Sequence, residues 1–270
     1  MNEKLKLFLI SNSKNHGDTE WLGWVKKDIQ EFLDNSEVTK GSKILFVDFA
    51  GKHIPGLGGT PEERYKAYLK KAEETFPEYK FISAGLELIK MNEEKEKQPD
   101  LKWQSILNYK VSAVFVAGGN TWTLAENVFN SGLFHPLQGW LLKGMPYVGW
   151  SAGAILACST ICTTNDMCSS PQAAMRSDGG LDLVPFQINP HYVDGNPDKV
   201  GGETREDRIL EYIQANKDTT IIGLREGCAC KMWNGDLSFI GERPIRIFDY
   251  GIAPIDSPII KGPYNFLLGA

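Results

Sequence analysis

Gly149-Trp150-Ser151-Ala152-Gly153 follows the apolar run Pro146-Tyr147-Val148 and leads into an apolar, helix-competent stretch over residues 154–162. Glycines on both sides of a serine remove the Cβ atoms that would collide where a strand turns abruptly into a helix. The Ser151 hydroxyl is then left at the carboxyl edge of a sheet, above a helix N-terminus. The Ala152 N–H is placed there to bind a developing oxyanion. The plain alternative is a small-residue turn in which Ser151 only caps the helix.

Outward from this turn, short β-rich runs at residues 6–11, 43–49, 113–117, 146–150 and 220–224 alternate with amphipathic segments. The segment 20–33 places Trp21, Trp24, Val25, Ile29, Phe32 and Leu33 on one face, and 63–76 carries a charged face. This rhythm predicts an α/β fold, a mostly parallel doubly wound sheet with helices on both faces. After Leu224 the runs 228–233, 237–240 and 246–249, with a turn at Asn234-Gly235, predict an antiparallel hairpin near the C-terminus that closes the sheet edge. One domain over residues 1–270 is expected. It carries a solvated surface insertion around 91–102 and an irregular tail over 252–270, packed down by Phe266 and Leu267.

The 270 residues are 42% hydrophobic and 23% charged, the balance of a chain that buries a core without staples. A net charge of -5 with no dense Lys/Arg stripe argues against nucleic acid as a partner. No apolar run reaches the length of a membrane span, and the first residues lack a cleavage-site pattern, so a cytoplasmic protein off the membrane is expected. Five cysteines at scattered, core-like positions fit reduced thiols rather than a disulfide framework. With His191 the only histidine near Cys158/Cys162 or Cys228/Cys230, no metal is expected.

A second glycine turn, Gly118-Gly119-Asn120-Thr121, ends the run 113–117 and precedes a helix-like segment 122–129. In an open parallel sheet the ligand crevice forms at such strand ends, so Gly118 and Gly119 are candidates for a second oxyanion N–H. Asn120 reads either as a side chain facing substrate or as the N-cap of the next helix. A serine mechanism needs a base, and the chain has four histidines: His16, His53, His135 and His191. His191, in Ile188-Asn189-Pro190-His191-Tyr192, directly follows an apolar strand-like run and is the best placed. Two carboxylates compete to orient it: Asp166, downstream of the serine helix, and Glu226, at a strand end. Their plain alternatives are a turn residue bonding its own backbone and a solvated charge. Thr204 and Asp207 read as a capping box. Arg205 in that first helical turn opposes the helix dipole, which points to an anionic partner or to a surface salt bridge with Glu203 or Glu206.

In order along the chain, 9–13, 49–51, 118–121, 149–167, 188–192, 202–208 and 222–227 resemble the peptidase E family of α-aspartyl dipeptidases. The family is made of serine peptidases on a flavodoxin-like fold similar to class I glutamine amidotransferases. The resemblance implies Ser151 as nucleophile, His191 as base, either Asp166 or Glu226 as acid, and Arg205 as the reader of an aspartyl carboxylate. It implies hydrolysis of small Asp-Xaa peptides through an acyl-enzyme, without a cofactor, by a monomer or homodimer. The stretch between Phe49 and Ala113 looks longer than in compact relatives, and the tail beyond Phe248 is unfamiliar. Other readings are a cyanophycinase-like hydrolase of β-aspartyl-arginine and a catalytically silent binder of acidic small molecules. An amidotransferase is disfavoured because serine stands where that chemistry places cysteine.

Overall fold

The apolar runs become strands in a computed structural model that describes residues 4–53, 59–94, 110–168, 178–195, 201–259 and 264–268. The strands are β1 (Leu7–Ile10), β2 (Lys43–Val47), β3 (Lys80–Ser83), β4 (Val111–Val116), β5 (Tyr147–Trp150), β6 (Gln187–Tyr192), β7 (Ile221–Arg225), β8 (Ala229–Trp233), β9 (Asp236–Ile240), β10 (Ile245–Phe248) and β11 (Ile255–Ser257). Seven of them form one sheet in the order β3-β2-β4-β5-β1-β8-β9. The first five of that order run parallel, and the β8–β9 hairpin closes the edge antiparallel to β1. The remaining four form a second sheet, β11-β10-β7-β6, in which β6 and β7 are parallel.

Helices α1 (Lys26–Asn35), α2 (Pro61–Thr75), α3 (Ala84–Glu94), α4 (Thr121–Asn130), α5 (Phe134–Leu142), α6 (Ala152–Leu156) and α7 (Arg205–Ala215) connect the strands. Alternate residues of each parallel strand face opposite layers. Phe8, Ile10, Phe46, Phe115 and Trp150 pack with Ile29, Phe32 and Leu33 of α1 and Tyr68 and Ala72 of α2. On the other face Leu7, Leu9, Val47 and Val116 pack with Leu124 and Val128 of α4, Leu137 and Leu141 of α5, and α6. That second core continues into Ile188, Ile222, Leu224 and Ile245, so α6 is sandwiched between the two sheets. Helix α7 covers the far side of the small sheet through Ile209 and Ile213.

The segment 220–224 was expected in the main sheet but pairs in the small one, as does the run 246–249. A strand buried on both faces shows the same unbroken apolar run whichever sheet it joins. The helix expected over 154–162 stops at Leu156, because the carbonyls that would continue it are taken elsewhere. Leu156 O accepts from the Leu181 N–H (2.7 Å), Ala157 O from Leu183 (2.9 Å) and Cys158 O from Asp182 (3.0 Å). Met91 is not solvated: it lies in the last turns of α3, 5% exposed, while residues 95–102 of the expected insertion fall outside the described set. In the tail, β11 is a strand, Leu267 is buried as expected, and Phe266 is 69% exposed instead of packed. Among the described residues no helix is long and apolar enough to cross a membrane.

One polar group in this core carries a pH dependence. Asp48, fully buried at the end of β2, accepts from the Gly85 N–H (2.9 Å) and lies 2.5 Å from Ser83 Oγ, which in turn accepts from the Leu86 N–H. Together they satisfy N–H groups in the first turn of α3, which would otherwise be orphaned. Burial pushes the Asp48 carboxyl from 3.8 up to about 7, against the pull of those hydrogen bonds. Below about pH 4 the group is protonated whether the chain is folded or unfolded; above about 7 it is ionised in both. Stability should therefore fall as pH rises across that window, by an amount on the order of 4 kcal/mol. Asp48→Asn should flatten this part of the profile and exceed the parent in stability at pH 8. Denaturant midpoints at pH 5 and 8 measure it, and an unchanged slope in the variant contradicts the assignment.

Candidate active site

Helix α6 begins directly at the end of β5 because two glycines let backbones come unusually close. A Cβ on Gly149 would lie 2.6 Å from Gly153 O, and one on Gly153 only 2.2 Å from Val116 O. Between them Ser151 adopts φ 52, ψ -113, a conformation that costs a non-glycine residue about 1–3 kcal/mol. Trp150, buried against Trp21, Phe46 and Phe115, holds the preceding residue. Ser151 makes no side-chain bond to the helix, so the capping alternative does not describe it. Its hydroxyl points instead to His191, with Oγ 3.0 Å from Nε2.

His191 reaches that position from the other sheet. The β6–β7 register shifts between Pro190 and Tyr192, and His191 occupies the bulge with φ 53. A bulge turns one side chain away from the direction its neighbours take. The Nδ1 atom lies 2.9 Å from Glu226 Oε1, just past the end of β7. A carboxylate can only accept, so the bond places the imidazole proton on Nδ1 and leaves Nε2 to accept from the Ser151 hydroxyl. Ser151, His191 and Glu226 are each half-buried, within reach of solvent.

Asp166 does not join this chain. Its Oδ2 accepts from the Thr121 N–H (2.7 Å), the Thr121 hydroxyl (2.6 Å) and the Thr164 hydroxyl (3.1 Å). The glycine turn it holds abuts the serine: a Cβ on Gly118 would sit 3.1 Å from Ser151 Cβ, and one on Gly119 2.6 Å from Ala50 O. Gly119 has φ 137, which favours glycine on its own account. The turn and the first residue of α6, Ala152, thus flank Ser151 from two adjacent strand ends. Asn120 is the N-cap of α4: its Oδ1 accepts from the Thr123 N–H and its Nδ2 donates to Met167 O. The capping reading therefore describes its oxygen, while the bond to Met167 uses one of the two Nδ2 hydrogens.

Arg205 opens α7 behind a Thr204–Asp207 capping box. Its Nη1 donates to the carbonyls of Pro190 (3.2 Å) and His191, so the guanidinium sits against the backbone that carries the imidazole. Burial works against its charge, opposed by the Glu226 carboxylate. Arg208, rather than Arg205, pairs with Glu203 (3.5 Å). A cavity of about 210 Å³ is bounded by Arg205, Asp166, Thr164, Asn189 and Tyr212.

Two residues that sequence reasoning passed over without a role assemble this site. Ser11, fully buried at the end of β1, accepts from the His191 N–H (2.9 Å) and donates to Leu224 O (2.8 Å). Asn12 Oδ1 accepts from the Gly227 N–H (2.8 Å), next to Glu226. Polar residues closing an apolar strand were the available signal, but nothing in one chain says which distant backbone they meet.

A half-buried hydroxyl, an imidazole and a carboxylate in series, flanked by two strand-end turns, form the arrangement that acyl-transfer hydrolysis uses. The chain belongs to peptidase family S51, whose profile matches residues 7–240. It is 33% identical over 246 residues to a Nostoc sp. protein named Peptidase E, covering 91% of this chain and 90% of that one. A Streptomyces coelicolor Peptidase E is likewise 33% identical over 252 residues, covering 93% and 90%. The fold is shared with the crystal structure of a peptidase from an acI-B1 Actinobacterium, at a TM-score of 0.61 and 15% identity over 94% of this chain and 93% of that one. The protein is accordingly a peptidase.

Ser11→Ala should take from the His191 N–H and from Leu224 O their buried partner and cost about 1–3 kcal/mol. Chemical denaturation reads the loss, and a midpoint equal to the parent's rules out the bridging role.

Proposed function

We propose that the protein is a serine peptidase that hydrolyses dipeptides with an N-terminal aspartate, Asp-Xaa, to aspartate and Xaa. The observation that carries the reading is the unbroken series Ser151 Oγ, His191 Nε2, His191 Nδ1, Glu226 Oε1, with contacts of 3.0 and 2.9 Å. The names of the Nostoc and Streptomyces relatives accord with it.

In this reading His191 Nε2 takes the Ser151 proton as Oγ attacks the scissile carbonyl carbon. The carbonyl oxygen becomes an oxyanion and accepts from the Ala152 and Gly119 N–H groups. Glu226 stabilises the imidazolium and holds its tautomer. The C–N bond breaks as imidazolium protonates the departing amine, leaving an ester between Ser151 and the aspartyl carbonyl. Water, deprotonated by His191, cleaves that ester and returns the proton to Ser151. Arg205, half-buried and fixed to the backbone beside His191, offers its remaining N–H groups to the substrate's side-chain carboxylate. The products are free amino acids, which fits a role in dipeptide turnover in the cytoplasm, by a monomer or homodimer.

Asp-Leu, Glu-Leu and cyanophycin assayed in parallel test the specificity: only the first should be cleaved, and turnover of cyanophycin alone would make the protein a β-aspartyl hydrolase. Ser151→Ala should lower kcat by about 10⁴-fold or more without changing the melting temperature downward, and Glu226→Gln by about 10³–10⁴-fold. Arg205→Met should chiefly raise KM for Asp-Leu. Activity retained in Ser151→Ala removes the nucleophile from the scheme.

A further inference from the structure

The two N–H groups assigned to the oxyanion belong to different strand ends, Gly119 after β4 and Ala152 after β5. The β4–β5 ladder pairs Val116 with Gly149 as its last step, so the two turns lie beyond it and need a tether of their own. Hydrogen bonds from the segment 163–167, which follows α6, supply one. Thr163 fastens that segment to the strand bearing the base: its hydroxyl donates to Ile188 O (2.8 Å), and its carbonyl accepts from Asn189 Nδ2 (2.8 Å). At the other end Asp166 Oδ2 gathers the Thr121 N–H and both threonine hydroxyls, while Asp166 O accepts from Trp122 Nε1 (3.2 Å) and Met167 O from Asn120 Nδ2 (2.9 Å). Residues 120–122, immediately after Gly118-Gly119, are thereby gripped by one carboxylate and two carbonyls. From the opposite side Tyr68 donates its hydroxyl to Gly118 O (3.1 Å).

We propose that Asp166 is a positioning residue of the oxyanion hole: it clamps the first turn of α4, and so the Gly119 N–H, in register with Ser151 and His191. The proposal rests on the acyl-transfer reading of Ser151. It gives Asp166 a role in which its ability to accept hydrogen bonds matters and its charge does not. Stabilisation of an oxyanion is felt only once the carbonyl carbon has become tetrahedral, so a loosened clamp lowers the rate of acylation and leaves ground-state binding in place.

The test compares Asp166→Ala, Asp166→Asn and Thr121→Val with the full-length parent. It uses kcat and KM on Asp-Leu, the rate of Ser151 labelling by a fluorophosphonate, and thermal melts. Asp166→Ala should lose about 10- to 100-fold in kcat and in labelling rate, with KM within about threefold. Asp166→Asn, whose amide oxygen still accepts both Thr121 hydrogens, should recover most of both rates. Thr121→Val removes only the hydroxyl donor and should give a smaller loss of the same kind, which keeps the test alive should Asp166→Ala fail to fold. Asparagine as slow as alanine would mean that the charge is what matters and would overturn the clamp, as would parental rates in all three variants. If the parent is labelled but does not cleave Asp-Leu, the substrate assignment fails while the labelling rates still decide the role of Asp166. A parent that resists labelling at Ser151 overturns both.

Discussion

Everything in the site depends on how closely α6 can approach β4. With hydrogen at Gly153 the helix lies against the Val116 carbonyl, and the chain passes from β5 into the helix through a single residue. That residue is Ser151, and its left-handed φ is the price of the abrupt turn. The surroundings over-determine it: Trp150 is locked into an aromatic cluster on one side, and α6 is buried on all five of its residues on the other. A conformation that would relax in a loop therefore persists, and the hydroxyl stands clear of the backbone.

The partners of that hydroxyl come from a second sheet, which is why their placement needed structure. His191 leaves a bulge in β6, Glu226 follows β7, and both strands reach the large sheet through Ser11 and Asn12 at the end of β1. One buried hydroxyl, Ser11 Oγ, bonds the backbone of the base and the strand of the acid at once. Each half of the site is built on regular structure, and a few polar side chains join the halves.

Much of this was legible in the residues. The serine turn announced itself through its glycines, and the parallel sheet, the C-terminal hairpin and the Thr204–Asp207 capping box followed from period and turn chemistry. The choice between Asp166 and Glu226 was not legible, because both follow elements that end near the crevice and a carboxylate's partners are set by long-range packing. Asn120 illustrates a related limit: the same amide fits a cap or a ligand contact, and the residue 47 positions away that fixes its second bond gives no local sign. The second sheet was missed for a physical reason, since β7 is covered by the common core on one face and α7 on the other.

The bulge at His191 has a consequence for motion. A slide of the small sheet by one residue's pleat would leave both strand ladders intact, yet it would carry the imidazole out of range of an alcohol anchored in the large sheet. The range between base and nucleophile is therefore set at the seam that Ser11 and Asn12 fasten, and not within either sheet.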